Sequence, residues 1–202
     1  MRKSQSPPPS VTPLRHAFVS RFSGHAFSIP ALRAHLAKGG VIAYPTESCY
    51  GLGCDPRNAR AVARILRLKG RPKAKGLILI GSASQQFTPY LAEAPADWPQ
   101  YWPGPFTLLL PAAKHCPRWL TGRHPKLAVR VTAHPEAARL CHALGMAIVS
   151  TSANRSGQHM LRTAAECRRA FGHRVWVIDG RIGARRRPST IIDPANGNLL
   201  RV

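Results

Sequence analysis

An α/β domain, built on a single twisted open sheet that mixes parallel and antiparallel strands, is the fold the sequence predicts. Three observations lead there. From about Phe27 helical and extended patterns alternate with short breaks. The extended stretches are short continuous apolar runs, the mark of buried strands, and the helical stretches between them are long enough to cross over a sheet. Near the carboxyl end, Ile191-Ile192 and Leu199-Leu200 flank Asn196-Gly197, which is a hairpin signature and brings in antiparallel pairing.

The elements follow in order. Ser28 and Pro30 open a helix whose Leu32 and Leu36 sit four apart, and Gly39-Gly40 ends it. Residues 41–44 read as a strand. Asn58 caps a second helix with Val62, Ile65 and Leu66 on one face, finishing at Lys69-Gly70. Residues 77–80 form the next apolar strand. Trp98, Trp102, Pro99, Pro103 and Pro105 predict an irregular helical connection before a strand over 106–110, and 127–131 is extended. Pro135 suits the first turn of a helix closed by Gly145, and 146–149 is a short core strand. Thr163 and Glu166 form a capping box for a helix to about Phe171, followed by an extended stretch over 175–178. No repeat and no second domain is visible. Residues 1–22, with Pro7-Pro8-Pro9, read as a flexible basic tail, and 23–202 as the domain.

Composition narrows the partners. The 202 residues carry 30 Lys plus Arg against 8 Asp plus Glu, a formal charge of +22. Such a field favours polyanions, and by itself does not choose among nucleotides, nucleic acid and acidic membranes. No apolar run approaches the ~20 residues of a membrane helix, so no membrane partner is expected. The five cysteines are odd in number and form no CxxC pair, which predicts reduced thiols in a cytoplasmic protein and no zinc site.

Three segments carry chemistry. Tyr44-Pro45-Thr46-Glu47-Ser48-Cys49-Tyr50-Gly51-Leu52-Gly53 reads as a polar, glycine-bearing loop leaving the carboxyl end of a strand, the edge where α/β sheets gather ligands. Lys69-Gly70-Arg71-Pro72, followed by Lys73 and Lys75, places four cations within seven residues, suited to a polyphosphate, although it lacks the glycine spacing of a Walker loop. Ser150-Thr151-Ser152-Ala153-Asn154-Arg155-Ser156-Gly157 is a nest of hydroxyl and amide groups after another strand. Taken singly, each can also be read as a solvated polar turn, and the third is set apart by lying at the same sheet edge as the first. No nucleophile signature is present, which points to a reaction in which one substrate attacks another while the protein supplies position and charge.

Together these segments resemble the YrdC-like family, and within it the short single-domain threonylcarbamoyl-AMP synthases. Trp102-Pro103-Gly104-Pro105, Arg130 in its strand and Pro188-Ser189-Thr190 extend the match, which runs from about Phe27 to Val202. The resemblance implies a large, basic, concave cavity and a nucleotidyltransferase that joins L-threonine, bicarbonate and ATP into L-threonylcarbamoyladenylate, with Mg²⁺ accompanying the ATP. It places Thr46, Arg130 and Ser189 around L-threonine, and Lys69, Thr107, Ser152, Asn154 and Arg201 around ATP. Lys69 and Arg71 match the Lys-x-Arg signature and are the expected catalytic pair, neutralising the triphosphate. The product would pass to a threonylcarbamoyl-transfer complex for modification of adenosine 37 in tRNAs reading codons that begin with A, with direct tRNA or RNA contact left open. Two other readings remain: a non-catalytic RNA-binding or ribosome-maturation protein, and a hydrolase using Ser150 or Cys49.

Overall fold

The computed structural model describes residues 19–22, 25–95 and 98–201. Strands β1 (Val19–Phe22) and β2 (His25–Ser28) pair antiparallel with Val19 opposite Ser28, so backbone pairing reaches into the stretch read as tail. Residues 1–18, the proline run included, lie outside the described residues. Helix α1 (Ile29–Ala37) starts where the Ser28 hydroxyl accepts from the Ala31 amide, and it buries Ile29, Leu32 and Leu36.

The first chemical segment is a hairpin rather than a loop. Strands β3 (Ile42–Pro45) and β4 (Tyr50–Gly53) run antiparallel with Pro45 opposite Tyr50, and the Thr46 amide closes the turn by donating to the Cys49 carbonyl at 3.0 Å. The glycines disguise a strand because their role is steric. A Cβ on Gly53 would stand 2.9 Å from the Val149 carbonyl and 2.8 Å from the Tyr44 ring.

Helix α2 (Ala59–Lys69) is capped by Asn58 and turns Ala61, Val62, Ile65 and Leu66 inward. Strand β5 (Ile78–Gly81) leads into a 3₁₀ stretch, Ser84–Tyr90, and turns through 98–105 before β6 (Phe106–Pro111). A four-residue helix, α3 (Arg118–Thr121), is too short to show a sequence period. Then come β7 (Lys126–Val131), α4 (Pro135–Leu144), β8 (Ile148–Ser152), α5 (Ala164–Phe171), β9 (Trp176–Val177) and the expected hairpin of β10 (Thr190–Asp193) and β11 (Asn198–Arg201).

Nine strands join one open sheet in the order β11-β10-β6-β7-β5-β8-β4-β3-β9. The pairs β10–β6, β5–β7 and β3–β9 are parallel and the other five antiparallel, the mixture the sequence predicts. Alternation along β3 feeds two apolar layers. Ile42 and Tyr44 pack with Leu32, Leu36, Leu140 and Leu144 of α1 and α4. Val41 and Ala43 face the opposite layer, with Val62 and Ile65 of α2. With both faces covered, the sheet is a rigid platform and its polar ends are left for chemistry.

Candidate active site

One cleft of about 140 Å³ gathers residues from six separated stretches of chain. The β3–β4 turn brings Thr46, Ser48 and Cys49, β7 brings Arg130, and the end of β8 brings Ser150 and Ser152. Arg71 enters from the loop after α2, Ser189 from the segment before β10, and Arg201 from β11. Of the residues the sequence reading singled out, Thr46, Arg71, Arg130, Ser152, Ser189 and Arg201 line this cleft together.

Arg130 is buried in its strand, with one terminal nitrogen 3.3 Å from Glu47 Oε2. The Thr132 hydroxyl donates to the other Glu47 oxygen at 2.7 Å, which fixes the carboxylate against the guanidinium. Arg130 Nε is buried with no hydrogen-bond partner. A buried guanidinium with bonding capacity left over in a cleft wall suits a second carboxylate, which it can grip with two parallel bonds.

Ser189 is held from two sides. Its hydroxyl is 2.8 Å from that of Thr107, and Arg201 donates to its carbonyl at 2.9 and 2.8 Å and to its hydroxyl at 2.9 Å. Thr107, expected beside ATP, is fully buried behind Ser189 and does not reach the cleft wall. Burial first, then the nearby Arg130 and Arg71, lower the Arg201 pKa, so the three guanidiniums feel one another across the cleft. That arrangement selects an anionic ligand.

Lys69 and Asn154 form the adjoining cluster. The Lys69 ammonium donates to the carbonyls of Ser152 and Asn154 and to Asn154 Oδ1, the latter two at 2.8 and 3.2 Å. Ser152 Oγ donates to Asn154 Oδ1 at 2.6 Å. This ties the end of α2 to the loop after β8 and leaves both residues just behind the cleft wall. Arg71 is oriented by the Gly76 carbonyl, with Nε at 3.2 Å and a terminal nitrogen at 3.0 Å.

A strap across the β3–β4 turn carries Ser189. Tyr50 donates its hydroxyl to the Gly180 carbonyl at 2.8 Å, His134 Nε2 donates to Arg181 at 3.0 Å, and the Gly183 and Arg185 amides donate to the Thr46 and Glu47 carbonyls at 2.9 and 3.1 Å. Gly183 permits this approach, since a Cβ there would lie 2.7 Å from the Glu47 carbonyl.

Two groups were not assigned from sequence. Glu47 sits inside the first segment, but its partners Arg130 and Thr132 are more than eighty positions away. Only its rarity as an acid amid so many cations hinted at a role. Tyr44, whose phenol burial holds far above its usual pKa, donates to Ser150 Oγ at 2.8 Å. Burial also pushes the Cys49 thiol up, so thiolate is scarce. Neither Ser150 nor Cys49 has a histidine beside it in the cleft lining, and the hydrolase reading finds no base there.

The chain is similar to known proteins in both sequence and fold. A family model named for Sua5, YciO and YrdC and described as telomere recombination matches residues 34–202. A threonylcarbamoyl-AMP synthase of Thiobacillus denitrificans is 58% identical over 176 residues, covering 85% of this chain and 94% of the relative. One of Chromobacterium violaceum is 57% identical over 173 residues, covering 84% and 90%. Among solved structures, P. abyssi Sua5 complexed with L-threonine superposes with a TM-score of 0.78 at 33% identity, covering 86% of this chain and 53% of that one. An open sheet of this order, a cleft ringed by guanidiniums and hydroxyls, and a family match over most of its length place the chain in the Sua5/YciO/YrdC family.

Proposed function

We propose that the chain is an enzyme that converts L-threonine, bicarbonate and ATP to L-threonylcarbamoyladenylate and pyrophosphate, a reading supported by curated relatives named threonylcarbamoyl-AMP synthase. The observation that carries this reading is the convergence of Arg71, Arg130 and Arg201 with the hydroxyls of Thr46, Ser152 and Ser189 in one cleft. In this reading Arg130 grips the threonine carboxylate, Thr46 and Ser189 meet its amine and hydroxyl, and Thr107 acts through Ser189. Arg71, Arg201, Ser152 and the Lys69–Asn154 cluster serve the nucleotide.

The chemistry follows from charge. The threonine amine captures carbon dioxide or bicarbonate as a carbamate, releasing a proton in the first case and water in the second, and one carbamate oxygen bonds the α-phosphorus while the bond to the bridging oxygen of the β-phosphate breaks. Pyrophosphate leaves with that oxygen and its electron pair. Both reactants are anions, so position and neutralisation are the protein's contribution. Mg²⁺ would enter with ATP as part of that substrate and would neutralise phosphate charge. The cleft offers it cations and hydroxyls, and no group of three or more His, Cys, Asp or Glu among the described residues is placed to hold a metal. The product then passes in the cytoplasm to the complex that transfers the threonylcarbamoyl group to tRNA. This reading accounts for the relatives' names, which a non-catalytic RNA-binding role does not.

The test is pyrophosphate release from Mg-ATP by the purified protein. Release is expected only when L-threonine and bicarbonate are both supplied, and equal release without threonine overturns the reading.

A further inference from the structure

Tyr44 of β3 and Ser150 of β8 meet on the face of the sheet covered by α1 and α4. Tyr44 and Ile148 pack in that layer, and Ser150, two positions beyond Ile148 in the same strand, shares its face. Strand β4 lies between β3 and β8, and its glycines leave the ring room to span it. A Cβ on Gly53 would stand 2.8 Å from Cε1 of the Tyr44 ring, and one on Gly51 would stand 3.3 Å from the hydroxyl. Across this gap the buried Tyr44 hydroxyl reaches Ser150 Oγ at 2.8 Å.

The protons of this pair have one arrangement. A phenol carries one proton, and a serine hydroxyl carries one proton and two acceptor positions. Burial keeps the Tyr44 phenol protonated, and among the described residues Ser150 Oγ is its sole hydrogen-bond partner. If Ser150 donated instead, the phenol proton would be left without an acceptor inside an apolar layer, the costlier arrangement. Tyr44 therefore donates, and Ser150 accepts. The serine's own proton has no acceptor among the described residues, and Ser150 lines the cleft. That proton is directed at whatever the cleft holds.

Placement across the sheet narrows which group it meets. In the order β7-β5-β8-β4-β3, Ser150 stands between Arg130 of β7 and Thr46 at the β3–β4 turn. In the proposed reaction Arg130 grips the threonine carboxylate and Thr46 meets the amine, and the carbamate grows on that amine. We infer that Tyr44 is a positioning residue for the carbamate: by donating to Ser150 it turns the serine proton into the cleft, where Ser150 donates to the carbamate oxygen that does not attack phosphorus. No proton is transferred. A serine free to rotate could equally turn a lone pair toward the anion, and Tyr44 removes that orientation before the anion arrives. The inference rests on the synthase reading and adds to it a group for the oxygens that bicarbonate supplies.

The test follows pyrophosphate release by Tyr44→Phe, Ser150→Ala and the double variant, with bicarbonate, threonine and ATP varied in turn. A second arm, without ATP, measures calorimetric binding of L-threonine with and without bicarbonate. Tyr44→Phe should raise the KM for bicarbonate by about three- to tenfold, the loss of one oriented hydrogen bond. The KM for ATP, and that for threonine at saturating bicarbonate, should stay unchanged. Ser150→Ala should raise the bicarbonate KM at least as much, and adding Tyr44→Phe to it should change nothing further, because the phenol acts through the serine. Bicarbonate should tighten threonine binding in the wild type, and less so in Tyr44→Phe. An unchanged bicarbonate KM in Tyr44→Phe overturns the inference, as does an equal rise in all three KM values, the mark of a merely structural phenol. A Tyr44→Phe effect that persists beside Ser150→Ala overturns it too. The binding arm needs no turnover, so a wild-type protein that releases no pyrophosphate sinks the synthase reading, while the bicarbonate-dependent part of threonine binding still decides whether Tyr44 acts.

Discussion

Lys69 concentrates the residue-scale question. Its side chain is buried, and burial first, then the neighbouring Arg71, bring its pKa down to about 8. Below that pH the ammonium is charged; above it the neutral amine prevails. If its charge serves the nucleotide, ATP affinity measured without threonine should fall as pH rises through 8, by up to about tenfold for the next unit, as the charged fraction does. Lys69→Arg, charged throughout, should flatten that limb. A pH-independent affinity in the wild type would instead confine Lys69 to clasping Ser152 and Asn154. Which side chains come together was largely legible, since six of the residues picked from motifs line one cleft. What sequence could not supply was depth. Thr107 stands one layer behind Ser189, and Lys69 and Asn154 one layer behind Ser152, because the position of a strand residue relative to a cavity depends on neighbours brought in from elsewhere.

At the scale of elements, local signals located helices well and strands less well. The Thr163 hydroxyl accepts the Glu166 amide at 3.2 Å while Glu166 Oε2 accepts the Thr163 amide at 2.9 Å, the capping box visible in sequence. Thr163→Ala should lower stability by about 1 kcal/mol, and Tm by roughly 2–4 °C for a chain of this size, with pyrophosphate release unchanged at low temperature. Thermal unfolding followed by circular dichroism reads it. The backbone amides of Arg162 and Thr163 hold the Glu166 pKa below the usual carboxylate range, so this contribution is present above the ordinary Glu value and lost as pH falls through the lowered one. A cap is satisfied within four residues, which is why it reads from sequence. Strand β4 was missed because Gly51 and Gly53 imitate a turn, whereas their bare backbone is what allows β4 to lie between β3 and β8.

Across the whole molecule the +22 charge is divided between uses. Arg71, Arg130 and Arg201 face the cleft, and Arg185 is half-buried, turning its guanidinium back onto the Arg187 and Pro188 carbonyls within the strap. Arg186 and Arg187 are exposed and lie outside the cleft. Arg186→Gln/Arg187→Gln should therefore leave threonine-dependent turnover intact. If the surface binds tRNA directly, the same variant should weaken that binding and reduce its salt slope by about 0.7–0.9 for each phosphate no longer neutralised. Loss of turnover at low and high salt alike would make these arginines part of the site. The mixed open sheet was legible as a class from crossovers and one hairpin. Its strand order was not, because β8 takes its place between β5 and β4 through long-range pairing that leaves no local trace.

The cleft's six contributing stretches also make it a checksum on the sheet. Position 46 must meet 130, 189 and 201, and those meetings depend on long-range strand pairing across the sheet from the β3–β4 hairpin to β11. Helices and local hairpins form early, and such distant pairings come last. A chain caught partway, however rich in helix, has no place where a carboxylate and a triphosphate can stand side by side. In the proposed reading, the amino-acid and nucleotide sides of the cleft are therefore completed by the same long-range pairings.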